Sequence, residues 1–111
     1  MNFKTEINGK IVVVFVKEER LDANNSEELK SELNRIFESG SKDLVVDLKE
    51  VRFIDSSGLG VLVSGFKNAS TRQGTIKLSG LQTQVKSMFE LTRLHRVFDI
   101  FPTVGDALES Y

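Results

Sequence analysis

Two extended apolar segments on either side of a helical segment constrain the fold of this chain most. Ile11–Val16 consists almost wholly of β-branched residues, and residues 43–48 are apolar around two aspartates. Between them, four apolar residues recur at the spacing of one helix face: Leu29, Leu33, Ile36 and Phe37. A strand, a crossover helix and a second strand predict parallel pairing with a right-handed connection. The first strand is apolar on both faces and is expected near the middle of a sheet.

An antiparallel hairpin is predicted before this unit. Phe3, Thr5 and Ile7 alternate with polar residues, as in a half-buried strand. Asn8-Gly9 then supplies a hairpin signal, because both residues tolerate a positive φ. The strand that ends at this turn is therefore expected to pair with the first of the two apolar strands.

The segment after the hairpin is predicted to be a polar loop followed by a capped helix. Residues 17–23 are mostly charged. Asn25 with Glu28 fits a capping arrangement, in which a side chain accepts from the first free N–H groups of a helix. Gly40 is placed to end that helix, since a left-handed residue is common at this position.

The C-terminal half continues the alternation of helices and strands. It is predicted to hold a helix over about 57–69, a strand over 75–78, a helix carrying Val85, Met88 and Phe89, a strand over 97–101, and a short helix capped by Thr103 with Asp106. The predicted fold class is α/β. We expect one domain over residues 1–111, in which about four helices cover a mixed sheet of four to five strands.

Composition bounds the function of the chain. It has 111 residues, a formal net charge of -1, one histidine and no cysteine. The balanced charge argues against nucleic acid as the main partner, and the residue counts exclude disulfides, thiolate metal sites and histidine-rich metal sites. The N-terminus lacks the form of a signal peptide, and the longest apolar run is too short to span a bilayer. We therefore expect a cytoplasmic domain without cofactor, metal or membrane segment, monomeric when free.

Residues 55–60, Asp-Ser-Ser-Gly-Leu-Gly, form the most informative junction of the chain. They follow extended apolar residues that end at Ile54 and precede a predicted helix. A serine at such a junction is exposed and close to the unpaired N–H groups of the first helical turn, where the helix dipole favours an anion. A phosphate on this hydroxyl would be tolerated by the fold while changing the surface that a partner meets. The motif therefore predicts a switch.

Nucleotide-binding and hydrolase interpretations of this motif fail on spacing. A dinucleotide fingerprint requires a third glycine at the position of Val63, and a phosphate loop requires lysine at the position of Phe66. A nucleophile elbow requires glycine at the position of Ile54. His95 is the single candidate base, and it stands among basic residues near a predicted helix end. The chain is therefore not predicted to be an enzyme.

Helix capping alone is the simpler interpretation of the motif. Asp and Ser are favoured cap residues, and a cap contributes about 1 kcal/mol. Three such residues occur in a row, however, and two glycines follow in the first turn, each costing about 1 kcal/mol relative to alanine. Because glycine leaves the backbone bare, Gly58 and Gly60 are expected to admit close approach by a neighbouring strand or by a partner protein.

Residues 53–62, Phe-Ile-Asp-Ser-Ser-Gly-Leu-Gly-Val-Leu, resemble the signature of the anti-sigma factor antagonists, the single-domain members of the STAS family. The resemblance covers nearly the whole chain. Residues 21–22 and 26–29 are similar to the family's loop and first helix, residues 45–48 to its central strand, and residues 85–89 and 106–108 to its third and last helices. It implies the STAS fold.

The resemblance also implies a partner-switching mechanism. In this family the unmodified antagonist binds an anti-sigma factor that is also a serine kinase, which frees a sigma factor and allows transcription to start. The kinase phosphorylates the antagonist with ATP, and the modified antagonist is released. A metal-dependent serine phosphatase of the PP2C type later removes the phosphate.

The family pattern implies roles for individual residues. Ser56 directly follows the aspartate and is the implied phosphorylation site, whereas Ser57 is its unmodified, helix-capping neighbour. Asp22 matches a loop position beside the phosphorylation site. The expected partner contacts are Asp22, Asp55, Ser57, Gly58, Leu59 and Gly60. One departure is Glu19, where the family often has glycine, so the conformation of residues 17–21 is an open question.

Two other functions are compatible with the same fold. Similar domains occur in stress-sensing assemblies and in lipid- and anion-transport complexes, where this chain would be a separate subunit. Alternatively, the turn at Ser56 holds a small anion without being modified. The identity of the partner distinguishes the first alternative, and stabilisation by phosphate or nucleotide distinguishes the second.

Overall fold

The computed structural model describes residues 1–111. Its strands are β1 (Phe3–Asn8), β2 (Ile11–Val16), β3 (Arg20–Leu21), β4 (Asp43–Asp47), β5 (Phe53–Ile54), β6 (Thr75–Ser79) and β7 (Ile100–Phe101). Its helices are α1 (Ser26–Glu38), α2 (Ser56–Thr71), α3 (Thr83–Leu91) and α4 (Val104–Glu109), with a 3₁₀ turn at Leu94–Arg96. The predicted α/β class and the four helices are confirmed. No helix is both long enough and apolar enough to cross a bilayer.

The main sheet has five strands in the order β1-β2-β4-β6-β7. β1 is antiparallel to β2, whereas β2, β4, β6 and β7 run parallel, so the predicted mixed sheet is confirmed. Val13 lies opposite Val45, and α1 is the crossover between β2 and β4, as the sequence predicts. The short strands β3 and β5 form a separate two-stranded parallel sheet.

The core lies on both faces of the main sheet. On one face α1, α2 and α3 cover the strands, and the predicted apolar face of α1 is confirmed by the burial of Leu29, Leu33, Ile36 and Phe37. On the other face a smaller cluster joins Val13 and Val45 to Ala107 of α4. β2 contributes to both clusters because successive side chains of a strand point to opposite faces.

The N-terminal hairpin forms, but its turn and its burial differ from the prediction. Asn8 pairs with Ile11, so the turn residues are Gly9 and Lys10, of which only Gly9 has a positive φ (+62°). β1 is an edge strand and is mostly exposed, with 81% of the Ile7 surface accessible. The alternating pattern wrongly predicted a half-buried strand, because it does not show how far the covering helices extend.

The segment predicted as a polar loop contains β3, and the predicted cap of α1 is wrong. The Asn25 side chain makes no capping hydrogen bond to α1. Its Nδ2 instead donates to the Arg20 carbonyl oxygen (2.8 Å), and its Oδ1 accepts from the Asp22 N–H (3.0 Å). Asn25 therefore shapes the turn between β3 and α1, where these two backbone groups lack partners in a regular element.

The remaining element ends agree with the sequence except at the last strand. Gly40 has a φ of +105° just after α1, as predicted. Thr103 caps α4, with its Oγ1 accepting from the Asp106 N–H at 3.1 Å. The predicted strand over 97–101 is shortened to β7, because the 3₁₀ turn precedes it and is entered through Arg93 in the left-handed conformation (φ +62°).

Tyr111, the only tyrosine, provides a check on the packing of the C-terminal segment. Its hydroxyl lies within hydrogen-bonding distance of the carbonyl oxygens of Leu44 and Thr75. Burial, assisted by the negative charge of Asp43, raises the pKa of the Tyr111 phenol well above its usual value of about 10. Since the chain has no tryptophan, we expect ultraviolet absorbance to show this phenol ionising at higher pH in native than in urea-unfolded protein. Equal midpoints would contradict this packing.

Candidate functional site

The candidate site forms where the two short strands end. β3 and β5 are parallel and in register, with Leu21 opposite Ile54. The next residues along the two strands are Asp22 and Asp55, so their backbones lie side by side, and the Asp55 N–H donates to the Leu21 carbonyl oxygen at 3.2 Å. The structure thus places the loop residue Asp22 beside the motif at the start of α2.

Asp55 is the N-cap of α2. Its Oδ1 accepts from the N–H groups of Ser57 (2.9 Å) and Gly58 (3.1 Å), and its Oδ2 accepts from the Ala23 N–H (3.3 Å). One carboxylate therefore satisfies two free donors of the first helical turn and joins α2 to the loop between β3 and α1. The capping role implied for Ser57 is wrong, because the Ser57 N–H is capped and its hydroxyl takes no part.

Asp55→Ala is expected to destabilise the protein by about 0.5–2 kcal/mol, the usual cost of removing an N-cap. Ser57→Ala is the matched control, and it is expected to change stability by less than about 0.5 kcal/mol, as at positions without a special role. The urea concentration at the unfolding midpoint measures both effects. Equal losses in the two variants would contradict the assignment of the cap to Asp55.

Ser56 is the first residue of α2 and is exposed. The cap oxygen comes from Asp55 rather than from Ser56, so a modification of the Ser56 hydroxyl removes no cap. The positive end of the helix dipole also favours negative charge at this position. The local geometry therefore accommodates a phosphate on Ser56 without a change of fold.

Asp22 holds the turn that precedes α1. Its carbonyl oxygen accepts from the Ser26 N–H (2.8 Å), and its Oδ1 accepts from the Asn24 N–H (3.0 Å). Its Oδ2 accepts from Arg20 Nε at 3.3 Å, and the side chain is only 14% exposed. Both carboxylate oxygens of Asp22 are therefore engaged within the loop, where they fix the turn that precedes α1.

Glu19 does not disturb this loop, although the family often has glycine there. Among non-glycine residues only Gln73 and Arg93 have a positive φ, so Glu19 does not occupy a conformation that requires glycine. Its carbonyl oxygen accepts from the N–H groups of Arg52 (2.7 Å) and Phe53 (3.1 Å), which ties the loop to β5. Residues 17–21 therefore accommodate Glu19 in place of glycine without an unusual backbone conformation, which answers the question raised by the sequence.

The two glycines of the motif have different surroundings. A Cβ on Gly58 would lie 2.6 Å from the Leu21 carbonyl oxygen and 2.8 Å from Ile54 Cγ1, whereas a Cβ on Gly60 would meet nothing within 4 Å. The neighbour that approaches Gly58 is therefore β3 of the same chain. Leu59 is also buried, at 5% exposure. Gly58 and Leu59 are thus covered by the fold of this chain, whereas Gly60 is open to contact from outside.

A shallow cleft next to the motif was not predicted from the sequence. It has a volume of about 270 Å³ and lies between the first turns of α1 and α2, with Ser26 and Lys30 on one side and Ser57, Gly60 and Ser64 on the other. Ser57, Gly60 and Ser64 are three and then four residues apart, so they share one face of α2. This row of small residues was the signal in the sequence that could have predicted the cleft. No group of three or more histidine, aspartate or glutamate residues is arranged to hold a metal ion.

Comparison with known proteins places this chain in a family. The STAS domain family matches residues 2–107. The chain belongs to the STAS domain family. The anti-sigma-B factor antagonist of Listeria monocytogenes is 33% identical to it over 109 residues, which cover 96% of this chain and 95% of the relative. The antagonist of the same name from Bacillus subtilis is 35% identical over 80 residues, 72% of each chain.

A solved structure shows the same fold. The crystal structure of a candidate anti-sigma factor antagonist from Thermotoga maritima matches this STAS chain with a TM-score of 0.89 and 26% identity, covering 97% of this chain and 92% of the other. The suspected family and the STAS fold are both confirmed. The relatives carry the names of regulatory binding proteins, which agrees with the prediction that this chain is not an enzyme.

Proposed function

We propose that this STAS chain is an anti-sigma factor antagonist of a partner-switching circuit. Its unmodified form binds an anti-sigma factor that is a serine kinase and thereby frees a sigma factor in the cytoplasm, and phosphorylation of Ser56 releases it. The observation that carries the proposal is the exposure of Ser56 at the first position of α2, beside a cap supplied by another residue. The names of the curated relatives support the same circuit.

The partner surface combines the β3–α1 loop with the open face of α2. Asp22 and Asp55 supply negative charge on one side of Ser56, and Gly60 supplies bare backbone on which a loop of the kinase can lie. The cleft beside Ser57 adds a recess for a partner side chain. Gly58 and Leu59 support this surface from beneath by packing α2 against β3 and the core.

Release follows from charge at the interface. Phosphate adds about 1.5 to 2 negative charges next to two carboxylates. In the free protein water and the helix dipole stabilise this charge. In the complex the same charge is buried without a partner, which weakens binding while the fold persists. ATP is bound by the kinase in this scheme, and a PP2C-type serine phosphatase restores the unmodified form.

Capture from a lysate of the host bacterium tests the circuit. Wild-type chain and Ser56→Asp are immobilised side by side, and mass spectrometry identifies the proteins retained on each. We expect an ATP-binding anti-sigma kinase on the wild type only. Equal retention of one partner by both would reduce Ser56 to an ordinary helix residue, and a transporter or sensor subunit in place of the kinase would contradict the proposed circuit.

Phosphorylation itself is tested with the captured kinase and Mg-ATP. We expect mass spectrometry to find the phosphate on Ser56, no phosphate on Ser56→Ala, and undiminished phosphorylation of Ser57→Ala, because Ser56 is exposed at the helix start whereas Ser57 is half-buried. Ser56→Ala should also stay bound to the kinase in the presence of ATP. A phosphate found on Ser57 in the wild type would contradict the assignment.

A further inference from the structure

A cleft of about 860 Å³ that is not lined by Ser56 lies beyond the carboxyl ends of β4, β6 and β7. The residues that follow these strands line it, including Lys49 after β4, Gly80 after β6 and Pro102 after β7. None of its lining residues belongs to the partner surface described above. Its volume is in the range of small-molecule sites, and the carboxyl ends of parallel strands are a common place for them.

We propose that this cleft binds a small organic anion, namely a carboxylate attached to an apolar body. The apolar part of the lining consists of Leu81, Phe98, Ile100 and Phe101. Phe98 is held in place by edge-to-face contacts with Phe66 (ring centroids 5.2 Å apart) and Phe89 (5.8 Å). The cleft therefore offers a rigid apolar wall to the body of the ligand.

Three basic side chains from separate segments line the same cleft. Lys49 follows β4, Lys86 lies on α3 and His95 lies in the 3₁₀ turn. None of them takes part in an ion pair of the chain. Arg93 and Arg96 flank His95 in sequence and add positive charge to this turn. The unpaired ammonium groups of Lys49 and Lys86, next to an apolar wall, are suited to an anionic head group.

The backbone of Lys49 is held at the edge of the cleft by contacts with neighbouring residues. Its backbone N–H donates to Asp47 Oδ2 (3.4 Å), and its carbonyl oxygen accepts from Gln82 Nε2 (2.7 Å). Gly80, with a φ of +72°, packs so closely that an added Cβ would lie 3.1 Å from Lys49 Cβ. The Lys49 backbone is thus held by three contacts, while its exposed side chain leaves the ammonium group without an ion-pair partner in the chain and free to reach an anion in the cleft.

Two acidic residues, Glu90 and Asp99, also line the cleft. Substitution of these residues and of the lysines tests whether the ligand is an anion or a cation. Both are exposed, and neither side chain takes part in an ion pair. If the ligand is an anion, neutralising a lysine weakens binding and neutralising an acid strengthens it. A cationic ligand requires the opposite result for each variant.

Octanoate is the probe for this site, with octan-1-ol and octylamine as controls of equal chain length. We expect titrations followed by ¹H–¹⁵N spectra to show octanoate shifting the amides of residues 80–81 and 98–101 and binding more tightly than either control. Lys49→Gln and Lys86→Gln should each weaken octanoate binding by up to about fivefold, as expected for an ion pair with an exposed lysine. Glu90→Gln should strengthen it. Lys67→Gln, an exposed change on α2, should leave it unchanged.

Three results would each overturn the proposal. The first is octylamine or octan-1-ol binding as tightly as octanoate. The second is equal octanoate affinity in wild type and Lys49→Gln, provided that the variant's spectrum retains the native dispersion. The third is an octanoate effect confined to residues outside the cleft, or none at millimolar concentration. The experiment uses no kinase, so its outcome is independent of the partner-switching function.

Discussion

If the chain binds the proposed anti-sigma kinase, Ser56→Asp is expected to lower its affinity for that kinase about thirty- to several-thousandfold. In the proposed complex the introduced carboxylate would be buried beside Asp55 without a counter-charge. A buried unpaired charge at an interface costs about 2–5 kcal/mol, and each 1.4 kcal/mol corresponds to about a factor of ten. In the free protein the same carboxylate stands at the start of α2, where the helix dipole stabilises it by about 0.3–1 kcal/mol. Binding is therefore lost while folding is retained.

Ser70→Asp is the matched control, because it places the same charge on an exposed residue in the last turn of the same helix. It lies fourteen residues from Ser56, which is about 21 Å along a helix. Isothermal titration calorimetry with the kinase should show near wild-type affinity for this control. If Ser56→Asp bound as tightly as Ser70→Asp, release driven by charge at Ser56 would be wrong.

Gly58→Ala is expected to destabilise the protein by about 3 kcal/mol, at the upper end for overpacked positions. The new methyl group would lie 2.6 Å from the Leu21 carbonyl oxygen, a backbone atom that moves only if β3 moves. It would also lie 2.8 Å from Ile54 Cγ1 in β5. Moving β3 displaces Asp22 from the start of α2, so kinase binding should fall as well.

Gly60→Ala separates packing from recognition, since it lies two residues further along the same helix and its new methyl group meets open space. We expect this variant to be as stable as wild type or up to about 1 kcal/mol more stable, because alanine is the better helix former. Urea unfolding measures both variants, and calorimetry with the kinase measures binding. Equal stability of Gly58→Ala and Gly60→Ala would contradict the close packing of α2 on β3.

Local patterns were sufficient for the elements of the main sheet. The apolar face of α1 follows from helical periodicity, and the parallel pairing of β2 with β4 follows from the crossover between them. The position of Gly40 after α1 was predictable because a residue in the left-handed conformation, usually glycine, ends many helices. These features depend on neighbours in sequence or on a rule of chain connection, so they are visible without coordinates.

Other features depend on contacts between distant parts of the chain. β3 and β5 have two residues each, too few to show any period, and they exist because residues thirty-three positions apart in sequence pair with each other. Asn25 was assigned to a cap because its position before a helix is favourable, but two backbone groups of the preceding turn compete for its side chain and take it. Ile7 is exposed because it lies near the end of the edge strand β1, whose one sheet neighbour is β2.

The candidate site shows the same division. By itself the sequence determined that a serine would stand at the start of a helix after an extended segment, because the polar-glycine motif marks that junction locally. Only the tertiary structure decided which residue caps the helix, which glycine meets β3 and which is open to a partner, and that Asp22 lies beside Asp55. The reason is physical: capping and close packing are settled by competition among all atoms within reach, and the register of β3 with β5 determines which atoms are within reach.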